Sequence, residues 1–177
     1  MAFQWWRTNL AAAAALLLLR LYAGWKWTSA GWGKLTGDEA FSAGGFVQNA
    51  IANPVLRSGT NEALYPTYVS FLKHFVSPQM GLFSLLVSWG ELLVGLSLLL
   101  GLFTTAGAFF GLVMNFSFLF AGALSLNPWL ILIGFLILTG GRNAGRFGLD
   151  PLVLPRLAAL RPGKARPSSA AASGTAS

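Results

Sequence analysis

Four stretches of this chain are apolar enough to cross a bilayer, and they restrict its fold more than any motif does. A hydrocarbon core of about 30 Å takes roughly 20 helical residues. Lipid offers no partner to a backbone N–H or C=O, so such stretches must fold as helices. They run over about residues 10–31, 80–101, 104–124 and 128–143, the last opening at Pro128, which suits a first helical turn. The chain is 55% hydrophobic and 10% charged, against roughly 25% charge in soluble domains. Arg7 and Leu10–Leu19 resemble the start of a signal peptide. Arg20 and Leu21–Tyr22 follow without a small-residue cleavage site, so the first stretch is read as retained. The expected fold is an all-α integral membrane protein, a four-helix transmembrane bundle.

The connections at Gly101–Thr104 and Leu126–Asn127 are short, which makes neighbouring helices antiparallel. Six of the twelve Lys and Arg residues lie from Arg142 onward. The positive-inside rule puts that end in the cytoplasm, and four spans return the N-terminus there with Arg7. The expected division is a cytoplasmic segment 1–9, a membrane domain 10–154, and a basic, disordered tail 155–177. Between spans one and two lies an outer loop, Leu35–Gln79, too long to be structureless. Thr36 with Glu39 fits a capping box opening one short helix toward Ile51. Pro66 opens a second, with Tyr68, Val69, Leu72, Phe75 and Val76 on one face. Both are expected to lie on the outer surface and cap the bundle.

Two charges fall near the middle of the spans. Glu91 sits in the run Gly81–Leu100 and Arg20 in the first span. An ionisable group in hydrocarbon is costly and marks a functional hypothesis. Counted from the span ends, Arg20, Glu91 and Asn115 share one depth, which predicts a buried Arg20–Glu91 pair with Asn115 as third partner. The competing reading is that these groups only fix helix register. Trp27, Gly31 and Lys34 form a stripe leading from Arg20 toward the outer surface. A cation beside a protonatable carboxylate can stabilise a reduced quinone's charge and relay its proton. Trp27 and Trp89 are candidates to stack on such a ring. Arg142 is read as an interfacial anchor, or else as facing the interior.

The absences narrow the chemistry. With no cysteine there is no disulfide, thiolate metal site or persulfide nucleophile, and one histidine excludes bis-histidine haem ligation within the chain. No metal site and no covalently bound cofactor is expected. The net charge of +7 is distributed as membrane topology rather than as a nucleic-acid footprint.

Several ordered motifs are familiar. Gly31-Trp32-Gly33-Lys34, Trp89-Gly90-Glu91, Val94-Gly95-Leu96 and Gly101-Leu102-Phe103-Thr104 resemble the DoxX/DoxD family of small bacterial and archaeal membrane proteins. Asn115-Phe116, Ala121-Gly122, Asn127-Pro128, Gly141-Arg142-Asn143-Ala144-Gly145 and Gly148-Leu149-Asp150 continue the match. The resemblance covers about Leu16 to Leu154, and it rests on the ordered set rather than on one tetrapeptide. It implies a multi-pass cell-membrane protein related to the DoxD subunit of thiosulfate:quinone oxidoreductase, which oxidises thiosulfate to tetrathionate and reduces membrane quinone. It implies quinone as electron acceptor and a second redox subunit as partner, and carries Lys34, Glu91, Asn115 and Arg142 over as residues to test. Other members serve thiol and oxidative-stress complexes, so a non-catalytic anchor or assembly subunit is the alternative. Self-association is left open.

Overall fold

The computed structural model describes residues 2–159. Among them the regular structure is helical, with one isolated bridge between Leu56 and Ala63. A short helix α1 (Ala2–Thr8) precedes α2 (Leu10–Thr36). Asn9 separates them, its side chain accepting the Ala11 N–H at 2.8 Å as a cap. Helices α3 (Gly44–Ala52) and α4 (Pro66–Phe71) occupy the long loop. Then come α5 (Met80–Leu100), α6 (Thr104–Phe120), α7 (Asn127–Gly140) and α8 (Asp150–Ala159).

Two helical stretches, Leu10–Thr36 and Pro66–Leu100, are long and apolar enough to cross a membrane, and Thr104–Phe120 is a shorter apolar helix. The second stretch differs from expectation. α4 runs through a π turn (Leu72–Val76) and a 3₁₀ turn (Ser77–Gln79) into α5, so it is not a separate surface helix. Pro78 brings no N–H to the ladder, and the two irregular turns absorb the register shift it forces.

The capping box is also corrected. Thr36 ends α2 instead of opening a helix, its hydroxyl donating to the Trp32 carbonyl at 2.9 Å. The next helix waits until Gly44, whose N–H is bound by the Ser42 hydroxyl at 3.1 Å. At the far end, α8 carries regular structure through Ala159, past the start of the expected tail. Residues 160–177, the rest of that tail, lie outside the described residues.

α2 and α5 pack antiparallel through glycines. A Cβ on Gly31 would meet the Leu92 backbone, with Leu92 Cα at 2.8 Å, and one on Gly24 would meet Leu99 Cγ at 2.9 Å. Close approach of this kind, through small residues, is how membrane helices associate. α6 and α7 meet at Gly134, against Leu112. The bundle core holds Leu16, Trp27, Leu98, Ile133 and Ile137. A second cluster, including Val47, Leu72, Val76 and Ala121, joins α3 and the π turn to the end of α6. The molecule thus has a cap end, with α3 and α4, and a turn end, with the α5–α6 connection and α8.

Candidate functional site

Arg20 and Glu91 do not pair. Arg20 is 1% exposed and packs against Gly101, at the turn end. Gly101 lies ten residues past Glu91 along α5, about 15 Å at 1.5 Å per residue. The expected pairing took the first span to end near residue 31. α2 continues to Thr36, so its midpoint moves toward the cap end and Arg20 falls below it.

Arg20 instead holds the chain that follows α7. Nη1 donates to the Ala144 carbonyl and Nη2 to the Phe147 carbonyl, both at 3.1 Å, while Nε has no partner. Gly101, at φ 62°, makes room for the guanidinium, since a Cβ there would strike Nη1. Nearby, the buried Asp150 carboxylate accepts the Phe103 N–H at 2.6 Å and the Thr104 N–H at 3.2 Å. It thereby caps α6, and its charge acts on Arg20. Asn143 completes this end, its amide donating to the Trp6 and Asn9 carbonyls at 3.0 Å each.

Glu91 pairs with Lys34. Nζ lies 2.5 Å from Oε2, and this is the one salt bridge among the described residues. The five residues of α2 beyond Gly31 bring Lys34 to Glu91, because Gly31 fixes the two helices at Leu92. Lys34 Nζ also stands 5.3 Å from the Phe41 ring centroid, within cation–π range.

This ion pair borders a cavity of about 650 Å³. The walls come from the end of α2, α3, α4 and its π turn, α5 and α6, and are mostly apolar, with Phe41, Phe46, Phe83 and Phe118 among them. Its size is ordinary for a small-molecule site, and few polar groups converge on it, as in most such sites. Tyr68 ties the cap to the bundle, its hydroxyl donating to the Ser117 carbonyl at 2.8 Å. Ser84 and Ser88 donate to the Met80 and Ser84 carbonyls of their own helix.

The other expected site residues divide. Asn115 reaches Glu91's depth, since the neighbouring Met114 faces Gly90, yet it does not line the cavity and its Oδ1 has no partner. Trp27 is 5% exposed and packs behind the wall, its ring centroid 6.4 Å from that of Phe118. Trp89 is exposed on the bundle surface. Arg142 is exposed at the turn end. The residues that reading alone missed are Phe41, Phe46 and Asn127 of the wall and the Asp150 cap. Asp150 had a signal, its place in Gly148-Leu149-Asp150. The phenylalanines had none, because nothing local tells a wall ring from a lipid-facing one.

No curated protein and no solved structure matches the chain. The DoxX family model matches residues 15–124, more than half of the chain, a range that holds both members of the Lys34–Glu91 pair. The chain therefore belongs to DoxX, a family of membrane-associated proteins.

Proposed function

We propose that this chain is a membrane oxidoreductase subunit that spans the bilayer four times and reduces quinone in the cavity beside Lys34 and Glu91. The observation that carries the reading is one ion pair at the edge of an otherwise apolar, ring-walled space. A quinone is a flat apolar ring with polar carbonyls at its rim, and its reduction to quinol takes up two electrons and two protons. Lys34 is the donor for a carbonyl and stabilises negative charge gained there. Glu91, bonded to Lys34, takes and returns the protons. Phe41 and its neighbours supply faces for the ring.

The four-span reading draws on α2 and α5 by length, on α6, and on α7 extended by its 3₁₀ turn to Asn143. Arg7, Arg142, Arg146 and Arg156 gather at the turn end. By the positive-inside rule that end is cytoplasmic in a prokaryotic plasma membrane, and the cap end is outside.

The electron donor in this reading is a sulfur compound such as thiosulfate, two molecules of which give tetrathionate and two electrons. The chain brings no cysteine, so a second redox subunit handles the sulfur side. A second reading, a non-catalytic anchor for a redox or thiol-stress complex, is favoured by the exposed Arg142, Arg146 and Arg156.

The test is thiosulfate-dependent quinone reduction in native membranes with and without the chain. Deletion is expected to abolish it, with rescue by wild type and not by Glu91→Gln. Unchanged turnover on deletion would overturn the catalytic reading and leave the anchor.

A further inference from the structure

We infer that the cavity admits its ligand sideways from the bilayer, through a mouth between α5 and α6, and that this ligand is a quinone bearing a long apolar chain. The inference rests on the quinone reading and adds to it a route and a ligand class.

The seam between the two helices changes character along its length. Toward the turn end it is closed by small residues: Gly107 fits against Ser97, and Gly111 against Val94, whose Cγ1 lies 3.2 Å from where a Cβ would stand. Near Glu91 the closure is different. Gly90 faces the Met114 thioether, whose Sδ lies 3.2 Å from where a Cβ on Gly90 would stand. Methionine is unbranched and adapts its shape, so this contact yields more readily than the short Ser97 and branched Val94 side chains do.

Beside that contact, three residues belong both to the cavity wall and to the outer surface of the bundle. They are Leu86 (53% exposed), Phe110 (59%) and Val113 (48%). The cavity therefore breaks the surface on a flank that is wholly apolar. On the cap side its wall sets the buried Ala43, Val47, Leu72 and Val76 of the second core cluster beside Phe46 (39% exposed) and Phe71 (42%), so that side is more nearly closed than the flank but is not sealed.

The chemistry of the mouth selects its occupant. An anion such as thiosulfate finds no polar group among Leu86, Phe110, Val113 and Met114, and loses its hydration there without return. A hydrocarbon chain passes from lipid to this lining at no comparable cost, since both are apolar. The head then rests at Lys34 and Glu91 while the chain lies across the α5–α6 mouth into the bilayer.

The experiment uses the full chain in lipid nanodiscs and a fully ring-substituted benzoquinone with a decyl chain ending in a diazirine. Illumination is expected to give adducts around Leu86 to Gly90 and Phe110 to Met114, suppressed by excess unlabelled decyl quinone. Saturable adducts confined to α3 and α4 would overturn the lateral route while leaving quinone binding intact. No saturable adduct anywhere would remove the quinone reading itself, and this inference with it. Val113→Trp plugs the mouth from an already exposed position. It is expected to lose the α5–α6 adducts while its melting temperature stays that of wild type. Retained adducts in Val113→Trp overturn the mouth.

Discussion

Lys34 and Glu91 share one short hydrogen bond from unequal positions: the lysine side chain is 26% exposed and the glutamate side chain 5%. The cation keeps a route to solvent, and the carboxylate has none comparable. Removing either partner therefore leaves a different problem behind.

Lys34→Met strands a buried carboxylate, and loss of one partner from a buried pair costs about 3–5 kcal/mol. Glu91→Gln leaves a neutral amide that still accepts from Lys34, so its cost is nearer 1 kcal/mol. The double variant is expected to be more stable than Lys34→Met alone. Thermal unfolding of the three purified variants checks the order. Equal destabilisation by both single changes would mean that the two ends are equally solvated.

Arg20 is a fastener at the turn end rather than part of the pair. Arg20→Met leaves the Ala144 and Phe147 carbonyls without their donors, at about 1–3 kcal/mol for the buried Ala144 carbonyl and less for the part-buried Phe147 one. The chain from Gly141 to Leu149 is expected to become protease-sensitive first, with quinone affinity unchanged in the fraction still folded. Exchanging the charges, Arg20→Glu with Glu91→Arg, is expected to rescue nothing. Limited proteolysis of both variants reads this directly.

The depth at which a charge sits was the least legible part of this sequence, although its membrane character was plain. The helices expected near residues 80–101 and 104–124 are found as α5 (Met80–Leu100) and α6 (Thr104–Phe120), because Gly101 and the left-handed Phe103 punctuate the chain. The end of α2 has no such mark. Gly31 and Gly33 read as stops, yet the helix passes both and stops at Gly37. That one extension moved Lys34 into contact with Glu91 and took Arg20 out of it. Propensity could not reveal this, since Gly31 is helical for a tertiary reason, the Leu92 backbone against it. The family motifs name Lys34 and Glu91 among four residues, without pairing them, and the other two, Asn115 and Arg142, lie outside the cavity wall. The ring-lined wall stayed hidden because it is assembled from α3, α4, α5 and α6 at once.

Gly31 and Gly33 make a matched test of that reason. A methyl at Gly31 collides with the backbone of α5, whereas Gly33 has nothing within 4 Å of a Cβ. Gly31→Ala is expected to destabilise by about 1–3 kcal/mol through overpacking and to push α2 away, opening the Lys34–Glu91 bond. Gly33→Ala is expected to be neutral or to stabilise by about 0.5–1 kcal/mol through helix propensity. Thermal unfolding separates the two. A neutral Gly31→Ala would mean that the helices are not in contact there.

Asn115 distinguishes depth from participation. It is 1% exposed with an unpartnered Oδ1 and stands at Glu91's level without reaching the cavity wall. An unmade buried hydrogen bond carries a desolvation cost of about 1–3 kcal/mol, and an apolar residue of similar shape removes it. Asn115→Leu is therefore expected to hold or raise the melting temperature, and to bind quinone as wild type does. Fluorescence titration of the variant beside Glu91→Gln checks both halves. A tenfold loss of affinity, about 1.4 kcal/mol, at unchanged stability would put the Asn115 amide in contact with the ligand. The wall would then have to reorganise around α6 when the ligand binds.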